Sequence, residues 1–510
     1  MRAINPLACA ILFFHTVSPA QTTDLTEADS LYQNREFAKA AAIYRAAATL
    51  NPLDIRAQHS LIVVLRKDDQ IQEALKSAEA ALKVLPDQCS LLTDLGDIHY
   101  RQGDIAAARQ DYTQAGKVNP NCARAFLGLG VILRMESRWK TAKRFLAKAF
   151  ELDPNDPDIV LNSAYGLEPA EEKQKRYERY LAMKSPDSEG KIAAIQSRVQ
   201  LLASIGGKKT FVLENKLSGA KVPLEPIFPT PKQLRGFSIR VGFNGGKSWP
   251  LLLDTGASGI VVHPKVAEKA GIERLAGSHV LGIGDNGARD SYEGLAQSVE
   301  IGDLRFKDCP ITVTSKKYDG DVEGIIGPDV LSRFQVRINF PGRTLELSPL
   351  PKLEGVSEED ERTQNFDATI VPLRDSFRRV LQSGHHLLID TSVNSLRGKH
   401  FVLDTGSSVN LISTQLARAA SNVGRQNYVT LRGLSGTVKD IQSADKLILE
   451  FAGFRQENRD MLAFDMTQMN KEMGFEVSGL LGFTIWQNFV LTIDYRDGLL
   501  KFEYVPPPGR

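Results

Sequence analysis

Leu251–Ser258 reads L-L-L-D-T-G-A-S, and Val402–Ser408 reads V-L-D-T-G-S-S. In both, an apolar stretch of strand character runs into Asp-Thr-Gly, then a small residue, then serine. The two carboxylates, Asp254 and Asp404, decide the reading, because two facing copies would place them in one site. Two carboxylates about 3 Å apart resist double ionisation, so one keeps a proton and the other stays charged. The charged one takes a proton from water, while the protonated one polarises a carbonyl. Such a pair titrates as a unit, so acid and base roles are not assigned separately. Gly256 and Gly406 let each loop turn sharply and approach its mate. Thr255 and Thr405 are placed to hydrogen-bond across the interface, and Ser258 and Ser408 to donate to the carboxylates.

The two segments resemble the active-site loops of aspartic proteases of the pepsin and retropepsin type. That family carries a second mark, two apolar residues and a glycine that open a short helix. Here these are Ile325-Ile326-Gly327 and Leu480-Leu481-Gly482, 73 residues (327 − 254) and 78 residues (482 − 404) after their aspartates. The following stretches also match, G-P-D-V-L-S-R-F-Q-V-R-I-N-F beside G-F-T-I-W-Q-N-F-V-L-T-I-D-Y. The resemblance covers roughly residues 210–506.

It implies two copies of one all-β lobe in a single chain, related by a pseudo-two-fold axis. Thr255, Gly256, Ser258, Gly327, Thr405, Gly406, Ser408 and Gly482 would scaffold the pair. Water held between Asp254 and Asp404 would hydrolyse a peptide bond, with no metal and no cofactor. One chain supplies both aspartates, so the site is expected in a monomer. In related enzymes a glycine-bearing hairpin folds over the substrate. Gly282–Gly287 and Gly433–Gly436 occupy that place, which makes Gly282, Gly284, Gly433 and Gly436 the flap candidates. Tyr292 lies near the first, and the role of the family's flap tyrosine is not carried over to it. Lobe 1 has Ala257 where lobe 2 has Ser407; in related enzymes alanine here goes with activity nearer neutral pH, and the mixed pair leaves the optimum open.

The N-terminal third carries a different pattern. Pro52, Pro86, Pro120 and Pro154 recur every 34 residues (86 − 52), and Ala40, Ala74, Ala108 and Ala142 keep the same step. So do Ala47, Ala81, Ala115 and Ala149. This resembles tetratricopeptide (TPR) repeats. Small residues let paired helices approach, and proline stops the second helix. No repeat buries its face alone, so about four are expected to stack into a solenoid whose groove takes a protein partner.

The expected fold is thus multidomain: an all-α TPR solenoid followed by an all-β bilobal aspartic protease. The segments are 1–20 signal peptide, 21–167 repeats, 168–209 helical linker, 210–350 lobe 1, 351–384 inter-lobe linker and 385–510 lobe 2. Hairpins are expected at Phe237–Phe243 with Trp249–Leu253, and at His386–Asn394 with Lys399–Leu403, the latter turning through Ser395–Gly398.

Arg2, the apolar run Leu7–Phe14 and Ser18-Pro19-Ala20 suit a signal peptide cleaved after Ala20, giving an exported, periplasmic or secreted protein. No other stretch looks transmembrane. Lysine and arginine total 63 against 61 acids, a net charge of +2 with no basic run, which argues against nucleic acid as the main partner. Of four cysteines, Cys9 would leave with the signal. Cys89 and Cys122 sit one repeat apart; pairing and two free thiols both remain open, and Cys309 is left over.

Other motifs carry less. Gly282–Gly287 fits G-x-G-x-x-G but lacks the following amphipathic helix of a dinucleotide site. Asp319-Gly320-Asp321 with Glu323 lacks EF-hand spacing. His385-His386 has no ligand cluster around it and reads as a strand start. Two other classes compete with a peptidase: a scaffold that grips an extended peptide without cutting it, and lobes that pair with those of another chain.

Overall fold

The computed structural model describes residues 24–507, apart from 168–169, 216–218, 231–232, 281, 286, 288, 317, 319–320, 328–329, 369–375 and 427–428. The expected signal peptide and Cys9 lie outside the described residues, as does part of the Asp319-Gly320-Asp321 turn.

The 34-residue step becomes eight helices: α1 (Thr26–Gln33), α2 (Phe37–Leu50), α3 (Ile55–Lys67), α4 (Ile71–Val84), α5 (Cys89–Arg101), α6 (Ile105–Val118), α7 (Ala123–Met135) and α8 (Trp139–Leu152). Every one of the eight recurring alanines is at most 2% exposed. Each periodic proline follows the second helix of its pair. The first repeat is the least regular, its opening helix having 8 residues where α3 has 13. The chain divides into two compact units at Leu91 and Leu92, inside α5. In the first unit, α1 to α4 pack on one another in sequence. Cys89 and Cys122 are both disulfide-bonded, whereas Cys309 is free and buried.

The second unit continues with α9 (Pro157–Ser163), α10 (Ala170–Ala182) and α11 (Glu189–Ile205). Asp156 caps α9 by accepting from Asp158 and Ile159 amides. Ser188 caps α11, and Gly206 ends it in a left-handed conformation.

From Val212 the chain is β. Lobe 1 builds a nine-stranded sheet and lobe 2 an eight-stranded one. Strand Gly236–Phe243 pairs antiparallel with Ser248–Leu253, as the sequence predicts. In lobe 2, His386–Val393 pairs with Leu396–Leu403, so the turn is tighter than the Ser395–Gly398 loop expected. Asn394 explains the difference. It adopts φ 54°, and its side chain donates to Ala420 O (2.8 Å) and accepts from the Ile448 amide (2.9 Å). Asn244 does the same in lobe 1, at φ 54°, with Ala270 O (2.8 Å) and the Ser298 amide (3.1 Å). Both hairpins are therefore pinned to the strand that returns beneath them.

A six-stranded sheet joins the lobes. Its centre is the repeated motif itself: Phe334–Asn339 pairs antiparallel with Phe489–Asp494, with Arg337 opposite Thr492. These two occupy the same place in their copies (492 − 337 = 155, as 489 − 334), so the pseudo-two-fold axis passes between them. Below it, Phe237, Phe340 and Phe483 pack with ring centroids 5.6 to 5.8 Å apart, sealing the two lobes into one core.

Within this unit the later repeats dock on lobe 2. Trp139 Nε1 donates to Arg496 O (2.8 Å), Arg101 donates to Asn470 O (2.8 Å), and the Tyr100 ring meets Phe475 at 5.6 Å. The inter-lobe segment joins this contact: Lys140 N donates to Phe366 O and Ala368 N to Ser137 O. The described stretch of that segment is thus threaded against the α7–α8 turn rather than running free between the lobes.

Candidate active site

Each aspartate stands at the end of a strand clamped by the apolar-apolar-glycine strand of its own lobe. Gly324–Ile326 runs parallel to Leu251–Leu253, and the Asp254 amide donates to Ile326 O (3.1 Å). Gly479–Leu481 runs parallel to Phe401–Leu403, and the Asp404 amide donates to Leu481 O (3.1 Å). Gly327 and Gly482 follow directly and hold the loops, but by different means. Gly327 N donates to Gly259 O (2.7 Å), whereas Gly482 N donates to the Asn410 side chain (2.8 Å).

The threonines lock the two loops together reciprocally. Thr255 N donates to Thr405 Oγ1 and Thr405 N to Thr255 Oγ1, both at 3.0 Å. Thr255 Oγ1 donates to Leu403 O and Thr405 Oγ1 to Leu253 O, both at 2.8 Å. The glycines make room for the acids. A Cβ on Gly256 would lie 2.8 Å from Asp404 Cγ, and one on Gly406 would lie 2.2 Å from Asp254 Cγ. Any side chain there would drive the carboxylates apart.

The serines behave otherwise than expected. Among the described residues, Ser258 and Ser408 make no hydrogen bond to either carboxylate. Backbone amides take that role, because the tight Asp-Thr-Gly turn already aims them inward. Gly256 N donates to Asp254 Oδ1 (2.8 Å), and Gly406 N and Ser407 N donate to Asp404 Oδ1 (2.9 and 2.8 Å). Ser407 Oγ is turned away, donating to Val409 O (2.9 Å).

A hydrogen bond joins the two carboxyls. Burial raises the pKa of both, and for Asp254 the neighbouring negative charge raises it further, well above the carboxylate range. The Ser407 and Gly406 amides oppose the rise at Asp404, and the two carboxyls form a dyad that titrates as one unit.

The flap candidates meet tip to tip. In lobe 1, Glu273–Val280 and Arg289–Ile301 form a long hairpin whose last pair is Val280 with Arg289. In lobe 2, Leu431–Gly433 and Gly436–Val438 form a short ribbon. Gly282 N donates to Ser435 Oγ (3.0 Å), Ser435 N to Ile283 O (2.9 Å), and Lys439 N to Asp285 Oδ2 (2.8 Å). Gly433 and Gly284 sit where these backbones touch. Tyr292 lies under Arg274, 4.6 Å from its guanidinium, and does not line the cleft.

The cleft, about 2990 Å³, holds both aspartates, both flaps and a face of α11. Three of its residues take parts there that the sequence does not show. Tyr318 is half-buried there, its phenol oxygen buried without a hydrogen-bond partner, and burial and Asp254 push its pKa up. His385 and His386 stack at 3.8 Å, and His385 Nε2 lies 3.2 Å from Gly256 O, so it braces the lobe 1 loop from lobe 2. Burial lowers both pKa values, that of His386 to about 3. Only the adjacency of two histidines marked them in the sequence. Among the described residues, no group of three or more His, Cys, Asp or Glu is placed to hold a metal ion.

Comparison with known proteins agrees with both halves of this architecture. A family described as aspartyl protease matches residues 239–330, and one described as tetratricopeptide repeat matches residues 25–88 and 93–157. The chain carries tetratricopeptide repeats and an aspartyl protease domain. The protease match covers the Asp254 loop and ends before Asp404. The Tetratricopeptide repeat protein 21 homolog of Caenorhabditis elegans is 23% identical over 141 residues, 28% of this chain and 10% of that protein. The chain thus spans about a tenth of the length of that curated relative. Among solved structures, the aspartic proteinase of Irpex lacteus is 14% identical, with 56% of this chain and 98% of that one covered, at a TM-score of 0.35. A thermophilic TPR protein of Thermus thermophilus is 20% identical, with 35% and 96% covered, at a TM-score of 0.29. Among the described residues, no helix of the repeats or the protease domain is long and apolar enough to cross a membrane.

Proposed function

We propose that the chain is an exported bacterial aspartic endopeptidase, periplasmic or secreted, whose repeats recruit a protein. Of Asp254 and Asp404, the charged carboxyl takes a proton from a water held between them, and the protonated one polarises the scissile carbonyl. The water oxygen adds to the carbonyl carbon, and proton transfer to the amide nitrogen releases the amine. The observation that carries this reading is the glycine-permitted approach of the two carboxyls, held by four reciprocal threonine bonds. Both aspartates come from one chain, which supports a monomeric site. The flaps, joined over the cleft, would keep bulk solvent away from the one water held by the dyad.

The test is cleavage of a diverse peptide library between pH 3 and 8, with pepstatin as a further probe. Wild type is expected to cut, and Asp254→Asn and Asp404→Asn are each expected to lose more than about a thousandfold in kcat/KM. A folded wild type inert at every pH, or either variant left fully active, would sink the proposal. Residual binding of peptides by an inert wild type would point to a scaffold instead.

A further inference from the structure

α11 is a helix of 17 residues, and none of them is buried. It nevertheless lies along the flap strand Glu273–Val280, and its Arg198, Leu201, Leu202 and Ile205 line the same cleft as the dyad. A helix carrying this much apolar surface normally closes it against a core. Here that surface is left facing a cleft, together with cations. Between residues 143 and 212 the lining contains Lys143, Lys173, Arg198, Lys208 and Lys209 and not one Asp or Glu. Arg198 and Lys208 have no ion-pair partner among the described residues, Lys209 feels the charge of Glu359, and of Glu358 and Glu361, which also line the cleft, Glu361 is engaged by Arg496 at 2.9 Å. Positive lining continues toward the flaps, where Arg289 Nε is buried without a hydrogen-bond partner. With a chain-wide net charge of only +2, this is a local concentration of charge.

We infer that α11 and the Gly207–Lys209 turn form an exosite for an acidic, partly apolar segment of the polypeptide substrate, continuous with the catalytic cleft. The inference rests on the peptidase reading for its place in catalysis, but not for binding. Leucine and isoleucine on α11 cover the apolar side chains of the segment, and Arg198, Lys208 and Lys209 take its carboxylates. The segment then holds the adjoining chain at the dyad, so the exosite acts on KM rather than on the chemical step.

The test uses the full chain, active and as Asp254→Asn. Fluorescence anisotropy on Asp254→Asn uses a labelled peptide of alternating Glu and Leu and its Gln–Leu counterpart. The Glu peptide is expected to bind about tenfold more tightly, and the triple variant Arg198→Gln/Lys208→Gln/Lys209→Gln to abolish that difference. In the active chain, the triple variant should raise KM about tenfold for a cleavable peptide extended by the Glu–Leu segment. Its kcat, and cleavage of the unextended peptide, should not move. Equal affinity for the two peptides, or unchanged binding by the triple variant, overturns the exosite. A chain that cuts nothing yet binds the Glu peptide through these three residues overturns the peptidase reading and keeps the acidic-segment surface.

Discussion

The two lobes repeat each other at a fixed interval, then part company where each meets the helices. Asn244 and Asn394 pin equivalent hairpins (394 − 244 = 150), and Asp254 and Asp404 follow at the same step. Up to that point the lobes are interchangeable in geometry: the threonine distances match to the tenth of an ångström. Beyond it they differ in support. Lobe 2 is backed by Arg101, Trp139 and Tyr100 of the repeats, and its Gly482 is held by a side chain, Asn410. Lobe 1 has a long flap hairpin against α11, and its Gly327 is held by backbone alone. Reciprocal threonine bonds make the frame of the dyad symmetric, whereas the support around it differs between the lobes.

The comparison breaks first at the glycines. Gly406→Ala puts a Cβ 2.2 Å from Asp254 Cγ, and Gly256→Ala one 2.8 Å from Asp404 Cγ. Both variants should lose more than about a hundredfold in kcat/KM, with Gly406→Ala the worse. Peptide-cleavage kinetics on folded protein decide this, and equal activity in wild type and Gly406→Ala would mean the acids do not need their close approach.

Support of lobe 2 is tested next. Trp139 is 5% exposed and clustered with Phe366, so Trp139→Ala should cost about 3–5 kcal/mol in denaturant unfolding. A loss below about 1 kcal/mol would show that the repeats lean on lobe 2 without stabilising it.

Thr255→Val and Thr405→Val each remove one donated bond and leave one buried amide without its acceptor, a cost of about 1–3 kcal/mol. The two losses should agree within experimental error. A clear inequality would mean that the symmetry of the distances hides an asymmetry of energy.

Acid titration separates the dyad from the histidines that brace it. The carboxyls have raised values, so their stabilising effect is complete at low pH and fades as pH rises through the folded-state values. The histidines have lowered values, His386 to about 3, so their effect is present above the ordinary value of 6.5 and is lost as pH falls toward 3. Replacing His386 with leucine should therefore flatten the fall of Tm between pH 6.5 and 3, while Asp254→Asn should raise Tm by a few degrees at neutral pH. Parallel Tm curves for wild type and His386→Leu would remove the histidine from this account.

The smallest effect is expected at Ser407. Its hydroxyl bonds Val409 O and so helps aim its amide at Asp404. Ser407→Ala should raise the Asp404 pKa slightly, moving the acid limb of kcat/KM upward by a few tenths of a pH unit. Ala257→Ser in lobe 1 should leave that limb in place.

Much of this is legible in the sequence itself. The Asp-Thr-Gly copies, their downstream glycines and the 34-residue step are local patterns that occur more than once, and repetition in one chain separates a motif from chance. Ser258 and Ser408 were misread because a hydroxyl next to a carboxylate suggests a bond, but a tight turn had already supplied amides. The hairpin turns at Asn394-Ser395 rather than over Ser395–Gly398, because the positive φ of Asn394 and its side-chain bonds close it within two residues. Asn244 reads as a turn residue and Asn394 as a strand end, but what each side chain bonds depends on strands that return some 50 residues later.

Sequence by itself determined the two architectures, the residues of the dyad and the threonine–glycine scaffold, because each depends on neighbours within one loop and its copy. Tertiary structure alone decided that the two carboxyls bury each other, that the flap tips meet, that His385 braces the opposite lobe, that the repeats lean on lobe 2 and that α11 faces the cleft. Those are relations between residues tens to hundreds of positions apart, where burial, amide direction and charge are set by packing and leave no periodic trace in the chain.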